Sequence, residues 1–462
     1  MFVSQQREQL IIYKMKVVLI AILAAIAFSL NEAVPGKKTL VILEKMDYKT
    51  SHSLFFANLV RNGCDLTYVS VTDSFEISKY GEYNYDNIVV MLSSSKKYDS
   101  LKKKEFRSFL DFQGSIFLAF ADTPSDFVRD LAGYSGVEID ADGSTVVDYF
   151  TSKTDPTLFA SSNYPKVRNV HLVGDLASYT GSILYRGMGM RVDENNVLAI
   201  RALAGDVATT ALSPSGVAQR HASSVVLVAA VQTRSNNRIV ISGSLAMFSN
   251  EFYLQSHDNQ VFGNSLSLWS FKFSGYLRVS NIQHFKYNRA DDTIEKEHEI
   301  IVQDVKKPNL PTSHYGEPEV AGRNIVYRIK DELYYSVMVE EWNGNEWVKY
   351  HADDLQIEFV MLDPYVRKNL TFVADQEDVD YFTIIKVPDV YGIYKFRLFY
   401  QRQGVSLINE NTQVSIRPFK HNEFPRFILA AYPYYVAAMI TMLAFVAYVF
   451  VFLFSGEKQK QD

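Results

Sequence analysis

Short apolar runs at "TLVIL" (Thr39 to Leu43), "IVVML" (Ile88 to Leu92) and "SIFLAF" (Ser115 to Phe120) read as buried strands of a mostly parallel sheet. Ligands of such sheets bind beyond the carboxyl ends of the strands. The residues placed there are Glu44 with Lys45, then Ser93 to Ser95, then Ala121 with Asp122. No G-x-G-x-x-G or G-x-x-x-x-G-K-[ST] follows any of them, so neither a dinucleotide nor a triphosphate has its cradle. Ser244 in "SGSLA" follows Gly243 but lacks the second spaced glycine of a G-x-S-x-G elbow. Cys64 falls between a helix end and a strand start, the wrong edge for a nucleophile, and reads as a small packing residue.

Metal chemistry finds no better footing. "EIDADG" from Glu138 resembles the opening of a calcium loop, yet Tyr149 stands where a bidentate glutamate belongs. His298 in "HEIIV" lacks the second histidine of H-E-x-x-H. Asp291-Asp292 and Asp353-Asp354 suit exposed turns, and the 31 Phe and 29 Tyr fall mostly at inward positions of strands and helices. The expectation is therefore of no catalytic, cofactor-binding or metal residue. Asn369-Leu370-Thr371 is an N-x-[ST] sequon with a permitted middle residue, which makes Asn369 a candidate for glycosylation.

The elements that would position these groups fall into two kinds. From Lys38 to about Leu131, short apolar runs alternate with amphipathic helices, which predicts a doubly wound α/β domain. Ser51 is the expected cap of a first helix stopped by Gly63, a second helix spans about Leu101 to Phe112, and Thr123-Pro124 opens a third. This domain is assigned to 38–275, with a less periodic elaboration at 137–221. A stretch at 276–315 reads as linker and first β elements, with "DVKKPNLPT" as its proline-rich part. Six β-rich runs at regular spacing then predict an antiparallel β-sandwich over 316–425.

A net charge of -5 argues against a nucleic-acid partner, and one cysteine rules out an intrachain disulfide. The two ends point to a membrane. Lys14 and Lys16 precede an apolar stretch and small residues, which predicts a signal peptide over 1–33 with translation able to begin at Met15. No charge occurs from Phe427 to Gly456, which predicts a transmembrane helix over 427–455 with tyrosines at its first boundary. The signal would carry the bulk of the chain into the lumen, a type I arrangement that leaves 456–462 as a cytosolic tail. Within that tail Lys458 and Lys460 stand fifth and third from the carboxyl terminus, the K-x-K-x-x spacing of a dilysine retrieval signal.

"SHSLFF" at Ser51, "KYGE" at Lys79, "YDN" at Tyr85, "LYRGMGM" at Leu184, "SGSL" at Ser242, "QIEFVMLDPYVR" at Gln356, "KVPDVYGIYKF" at Lys386, "QVSIRP" at Gln413 and "RFILAAYPYY" at Arg426 occur in this order. Together they resemble the non-catalytic subunit family of the dolichyl-diphosphooligosaccharide protein glycosyltransferase, the DDOST or Wbp-type family, over Lys38 to about Phe454. The resemblance implies a place in the oligosaccharyltransferase complex of the endoplasmic reticulum, which moves a glycan from dolichol diphosphate to Asn in N-x-[ST] sequons. It implies an active site in a separate catalytic subunit. It further implies ribophorin-type subunits and a small DAD-type subunit as partners, and a first domain of amidotransferase-like fold; with no nucleotide or metal motif present, no cofactor is expected. The competing readings are a membrane-anchored luminal hydrolase or amidotransferase-like enzyme, and a cargo receptor of the early secretory pathway.

Overall fold

Fully buried apolar runs that alternate with one-sided helices build the first half of the chain. The computed structural model describes residues 37–151, 155–164, 170–174, 179, 181–295, 300–301, 324–344, 346–374, 379–424 and 429–456. Strand β1 (Lys37–Leu43), helix α1 (Ser53–Arg61), β2 (Cys64–Ser70), β3 (Asn87–Leu92), α2 (Lys103–Phe112), β4 (Ser115–Phe120) and α3 (Asp126–Tyr134) follow one another. Later come β5 (Val137–Ile139), β6 (Met190–Val192), β7 (Ala199–Ala204), β8 (Val226–Gln232), β9 (Arg238–Ser242) and α4 (His257–Ser270).

These strands form one sheet in the order β2-β1-β3-β4-β9-β8-β6-β5, with β7 also paired to β8. The first five run parallel, and β8, β7, β6 and β5 join by antiparallel pairing. Side chains alternate across a strand, so Leu40 and Ile42 pack with α2 and α3 on one face while Val41 and Leu43 pack with α1 and α4 on the other. Part of the 137–221 segment thus extends the main sheet through β5, β6 and β7, because strands this buried need paired backbone on both sides.

Two helix starts differ from expectation. Ser51 closes a four-residue turn, Tyr48–Ser51, and α1 begins after His52. Its free Leu54 N–H donates to the Asn250 side chain at 3.0 Å, so a residue distant in sequence supplies the cap. For α3 the cap is Ser125, whose Oγ accepts from Val128 N, and the helix opens at Asp126 beyond Pro124.

The second half is β-rich. β10 (Tyr276–Asn288) starts directly after the first domain, and β11 (Asn324–Arg328), β12 (Glu332–Trp342), β13 (Gln356–Val360), β14 (Pro364–Asn369), β15 (Thr371–Phe372), β16 (Tyr381–Lys386), β17 (Gly392–Tyr400) and β18 (Ile408–Arg417) follow. Pro308 and Pro311 of the expected linker lie outside the described residues. One sheet runs β10-β12-β16-β15 and the other β11-β18-β17-β13-β14, each with short strands at its edges. Leu333, Tyr335 and Val337 of the first share one apolar cluster with Ile357, Phe396 and Leu398 of the second. The rings of Tyr335 and Phe396 meet at 5.0 Å between the sheets. Helix α5 (Tyr432–Phe454) is apolar along its length and has no buried residue.

The halves meet at a joint centred on Arg238, which is fully buried at the start of β9. Its guanidinium donates to the carbonyls of Trp269 (2.7 Å), Ser274 (2.7 Å) and Gly275 (2.6 Å) and lies over the Trp269 ring at 4.7 Å. Carbonyls at a helix C-terminus lack intrahelical donors and carry partial negative charge, so a cation there satisfies both needs. The Trp269 indole N–H then reaches the Gly404 carbonyl of the second half at 2.8 Å. Gly275, at φ +62°, admits no side chain, because a Cβ would stand 2.4 Å from the same Gly404 oxygen. Asn236 pairs its side-chain amide with the backbone of Leu407 in both directions (2.6 and 2.8 Å).

Lys37 and Lys272 join this basic cluster. Lys37 donates to the Phe271 carbonyl, and Lys272 donates to Asn237 Oδ1 at 2.8 Å. Burial, helped by the charge of Arg238, lowers both ammonium groups to about 8. Between that value and their ordinary 10.5 the folded chain binds fewer protons than the unfolded one, so stability rises with pH. Tyr185, Tyr253 and Tyr335 act oppositely above pH 10, because burial raises their pKa values and only the unfolded chain ionises there. The thermal midpoint of the detergent-solubilised chain is expected to climb from about pH 7.5 to about pH 9.5 and then fall. A Lys37→Met, Lys272→Met variant should lose the climb, and a rise of equal size in that variant would exclude the two lysines as its source.

Candidate functional site

The strand ends converge on Glu44, the residue after β1. Its carboxylate accepts from the backbone N–H groups of Ser93 and Ser94, from Ser93 Oγ (2.9 Å) and from the Tyr98 hydroxyl (3.2 Å). Tyr48 donates to Ser93 Oγ at 2.7 Å, and Thr123 donates to the Ser93 carbonyl at 3.2 Å. Partial burial alone would raise the Glu44 pKa, but the donors from Ser93, Tyr98 and Ser94 outweigh it and hold the group below its ordinary value. Glu44 therefore stays ionised near neutrality. It organises the turn after β3 and is poorly suited to proton transfer at neutral pH.

Ser244 is equally committed. It is fully buried, its hydroxyl donates to the Arg186 carbonyl, and its oxygen accepts from Met247 N at 3.1 Å. His52 is near in the fold, but its Nε2–H donates to the Leu245 carbonyl at 3.2 Å and its Nδ1 accepts from Ser51 Oγ at 2.9 Å. Burial lowers its pKa and leaves the ring neutral. "LYRGMGM" and "SGSL" explain each other at this point. Met188 N donates to the Gly243 carbonyl at 2.9 Å, and a Cβ on Gly187 would fall 2.2 Å from the same oxygen. The Tyr185 hydroxyl locks the contact by donating to the Met188 carbonyl at 2.6 Å. Backbone thus covers the end of β9, where an open α/β site would receive its ligand.

The remaining chemical candidates are also paired. In the calcium-like stretch the buried Asp140 forms an ion pair with Arg220, and Asp142 one with Arg129 at 2.5 Å, so arginines hold these carboxylates. Tyr149 is exposed. Asp292 accepts from the Tyr287 hydroxyl, Asp291 from the Asn288 amide at 2.8 Å, and Asp354 from Arg402, as exposed turns. Cys64 is buried at the amino end of β2, and burial pushes its thiol up to about 11. No group of three or more His, Cys, Asp or Glu suited to a metal occurs among the described residues, and His298 lies outside them.

Asn369 ends β14 and is exposed, whereas Leu370 turns into the core and its N–H bonds to the Leu355 carbonyl at 2.9 Å. Thr371 then opens β15 in the other sheet, so the sequon sits on the crossover between sheets. Lys458 and Lys460 lie outside the described residues. Helix α5 has 23 residues and rises about 35 Å, enough for a hydrocarbon layer of about 30 Å. Leu429–Ala431 precede it, and the helix buries no side chain on the rest of the chain. The residue that sequence reasoning missed is Arg238; its signal was a cation opening the apolar run "RIVIS", which in a buried strand demands partners.

Comparison with known proteins agrees over nearly the whole chain. The family model described as OST48, N-terminal domain matches residues 30–273, and the one described as OST48 middle domain matches 313–456. The dolichyl-diphosphooligosaccharide--protein glycosyltransferase 48 kDa subunit of Arabidopsis thaliana is 31% identical, over 94% of this chain and 96% of its own. The subunits of the same name from Drosophila melanogaster (31%, 95% of each chain) and Danio rerio (29%, 94% and 96%) are similarly related. The two family models cover the sheet domain, the β-rich region from residue 313 and the whole apolar helix, and the chain belongs to the OST48 family.

Proposed function

We propose that this chain is a non-catalytic subunit of the oligosaccharyltransferase complex, which transfers a dolichol-diphosphate-linked oligosaccharide to Asn in N-x-[ST] of nascent proteins. The observation that carries the reading is the near full-length relation to proteins named as the 48 kDa subunit of that glycosyltransferase. Its non-catalytic character is supported by the strand ends, where Glu44, His52 and Ser244 each serve turn or backbone partners. The chain is a single-pass type I protein of the endoplasmic reticulum membrane in this reading. The signal covers 1–33, the luminal α/β domain 38–275, linker and first β elements 276–315, and the sandwich-like domain 316–425. The span covers 427–455 and the cytosolic tail 456–462. The parallel part of the first sheet, with helices on both faces, supports an amidotransferase-like ancestry whose active site has been closed over.

The partners are the catalytic subunit, ribophorin-type subunits and a small DAD-type subunit, and the apolar helix contributes to assembly by packing against other spans. Purification of a tagged chain in mild detergent should recover the catalytic subunit in near-stoichiometric amount, and depletion should lower sequon occupancy. Recovery of the chain alone, with unchanged occupancy, would contradict the reading.

Two sequence features carry separate proposals. Lys458 and Lys460 act as a retrieval signal, and Asn369, exposed on the sheet crossover, carries a glycan. Changing both lysines to serine should let unassembled chains acquire Golgi-type glycan processing at Asn369, and Asn369→Gln should remove one glycan's worth of gel mobility shift. Unchanged mobility in Asn369→Gln would exclude the glycan; retained endoglycosidase sensitivity in the lysine variant, with the glycan present, would exclude the signal.

A further inference from the structure

One end of the β-rich region exposes apolar side chains that its own core does not use. Leu362, at the tip between β13 and β14, is 90% exposed, and Tyr391, just before β17, is 66% exposed. Val390, Ile393, Tyr365 and Phe424 are exposed as well. Strand pairing brings these positions together. Gly392 stands opposite Ile416 near the end of β18, and Val360 stands opposite Lys395, so the 361–363 tip, the 390–393 segment and the end of β18 open on one side. The Met361 sulfur would lie only 2.9 Å from a Cβ on Gly392, which shows how closely tip and segment approach.

The chain leaves for the apolar helix from this same end. Beyond β18, Glu423 is clamped by Arg417 (2.6 and 2.9 Å), with Arg328 near at 3.9 Å, and Lys420 N donates to it at 2.8 Å. These partners, Arg417 foremost, hold its carboxyl down to about 2, so the clamp persists at physiological pH. Phe424 packs on Phe419 at 5.4 Å. Only five residue steps separate Phe424 from Leu429, where the apolar stretch starts, and extended chain covers at most about 18 Å in that distance. Neighbouring strands lie about 5 Å apart, so the tip at Leu362 stands about 10 Å sideways from the exit. The tether is too short to lift this end far from the surface that the helix enters.

We infer that Leu362 and Tyr391, with their apolar neighbours, rest in the headgroup and upper acyl region of the bilayer, and that the β-rich domain lies against the membrane as a second point of attachment. Exposed aliphatic and tyrosine side chains gain from that interface, and clusters of them are otherwise unfavourable on a water-facing surface. The inference rests on the reading of helix α5 as a membrane span.

Cys64 is buried and is the chain's one cysteine, so a new surface thiol takes a nitroxide label selectively. Full-length Leu362→Cys, Tyr391→Cys, Phe399→Cys and Leu443→Cys chains would be labelled and placed in phosphatidylcholine nanodiscs. Collision with oxygen, which enriches in lipid, would be compared with collision by a water-soluble nickel chelate. Leu443 reports the span itself. Phe399 is exposed on β17, about 27 Å from Tyr391. Positions 362, 391 and 443 should favour oxygen, and 399 should favour nickel. Water-like signals at 362 and 391 with a lipid-like signal at 443 would overturn the membrane contact alone, and a water-like signal at 443 would overturn the span as well. Shielding of 362 and 391 from both reagents in the purified complex would assign the patch to a protein partner and overturn it too.

Discussion

A buried guanidinium held by backbone carbonyls governs the architecture. Arg238 is buried where the main sheet, the end of α4 and the second domain meet, and three backbone carbonyls stand in for a counter-ion. Removing such a charge from water is costly unless its donors are used, and here the turn from α4 into β10 supplies carbonyls to the two terminal nitrogens, while the buried Nε has no partner among the described residues. The Trp269 ring that covers the charge also reaches Gly404. Hence the same few atoms end a helix, shape a turn and dock one domain on another. Gly275 and Asn236 complete the joint by close approach and by an amide that imitates strand pairing.

Much of the fold was legible because buried parallel strands and amphipathic helices leave strong patterns. "TLVIL", "IVVML" and "SIFLAF" lie in the sheet, and the long charge-free run forms a single helix. Caps were less legible. Leu54 is capped by Asn250, nearly two hundred residues away, and no local spacing encodes that contact. The contribution of β5, β6 and β7 to the main sheet was hidden for a similar reason, since strands of three to six residues carry little periodicity and their partners are remote.

The site itself was legible in identity but not in state. Sequence placed Glu44, Ser93 and Ser244 near strand ends and found no catalytic motif around them, but residue type and position do not say what each atom is bonded to. The structure shows those bonds: Glu44 gathers donors from one turn, Ser244 caps another, and the Gly187 and Gly243 backbones close over β9. Two of the motifs that carry the family resemblance meet in that closure, so their glycines have a packing reason independent of any reaction. On the proposed reading, an α/β framework built for ligands at its strand ends serves as a support, and its working surfaces are the joint, the membrane end and the apolar helix.

That division of labour is open to direct test by replacing the native chain in cells with a Glu44→Gln, Ser244→Ala variant or with Arg238→Met, and measuring sequon occupancy and complex assembly together. The account predicts that the strand-end variant, once assembled, supports normal occupancy, while Arg238→Met loses assembly and occupancy in parallel. A strand-end variant that assembles normally yet fails to support glycosylation would contradict it, because the groups at the strand ends would then be doing chemistry or holding a ligand.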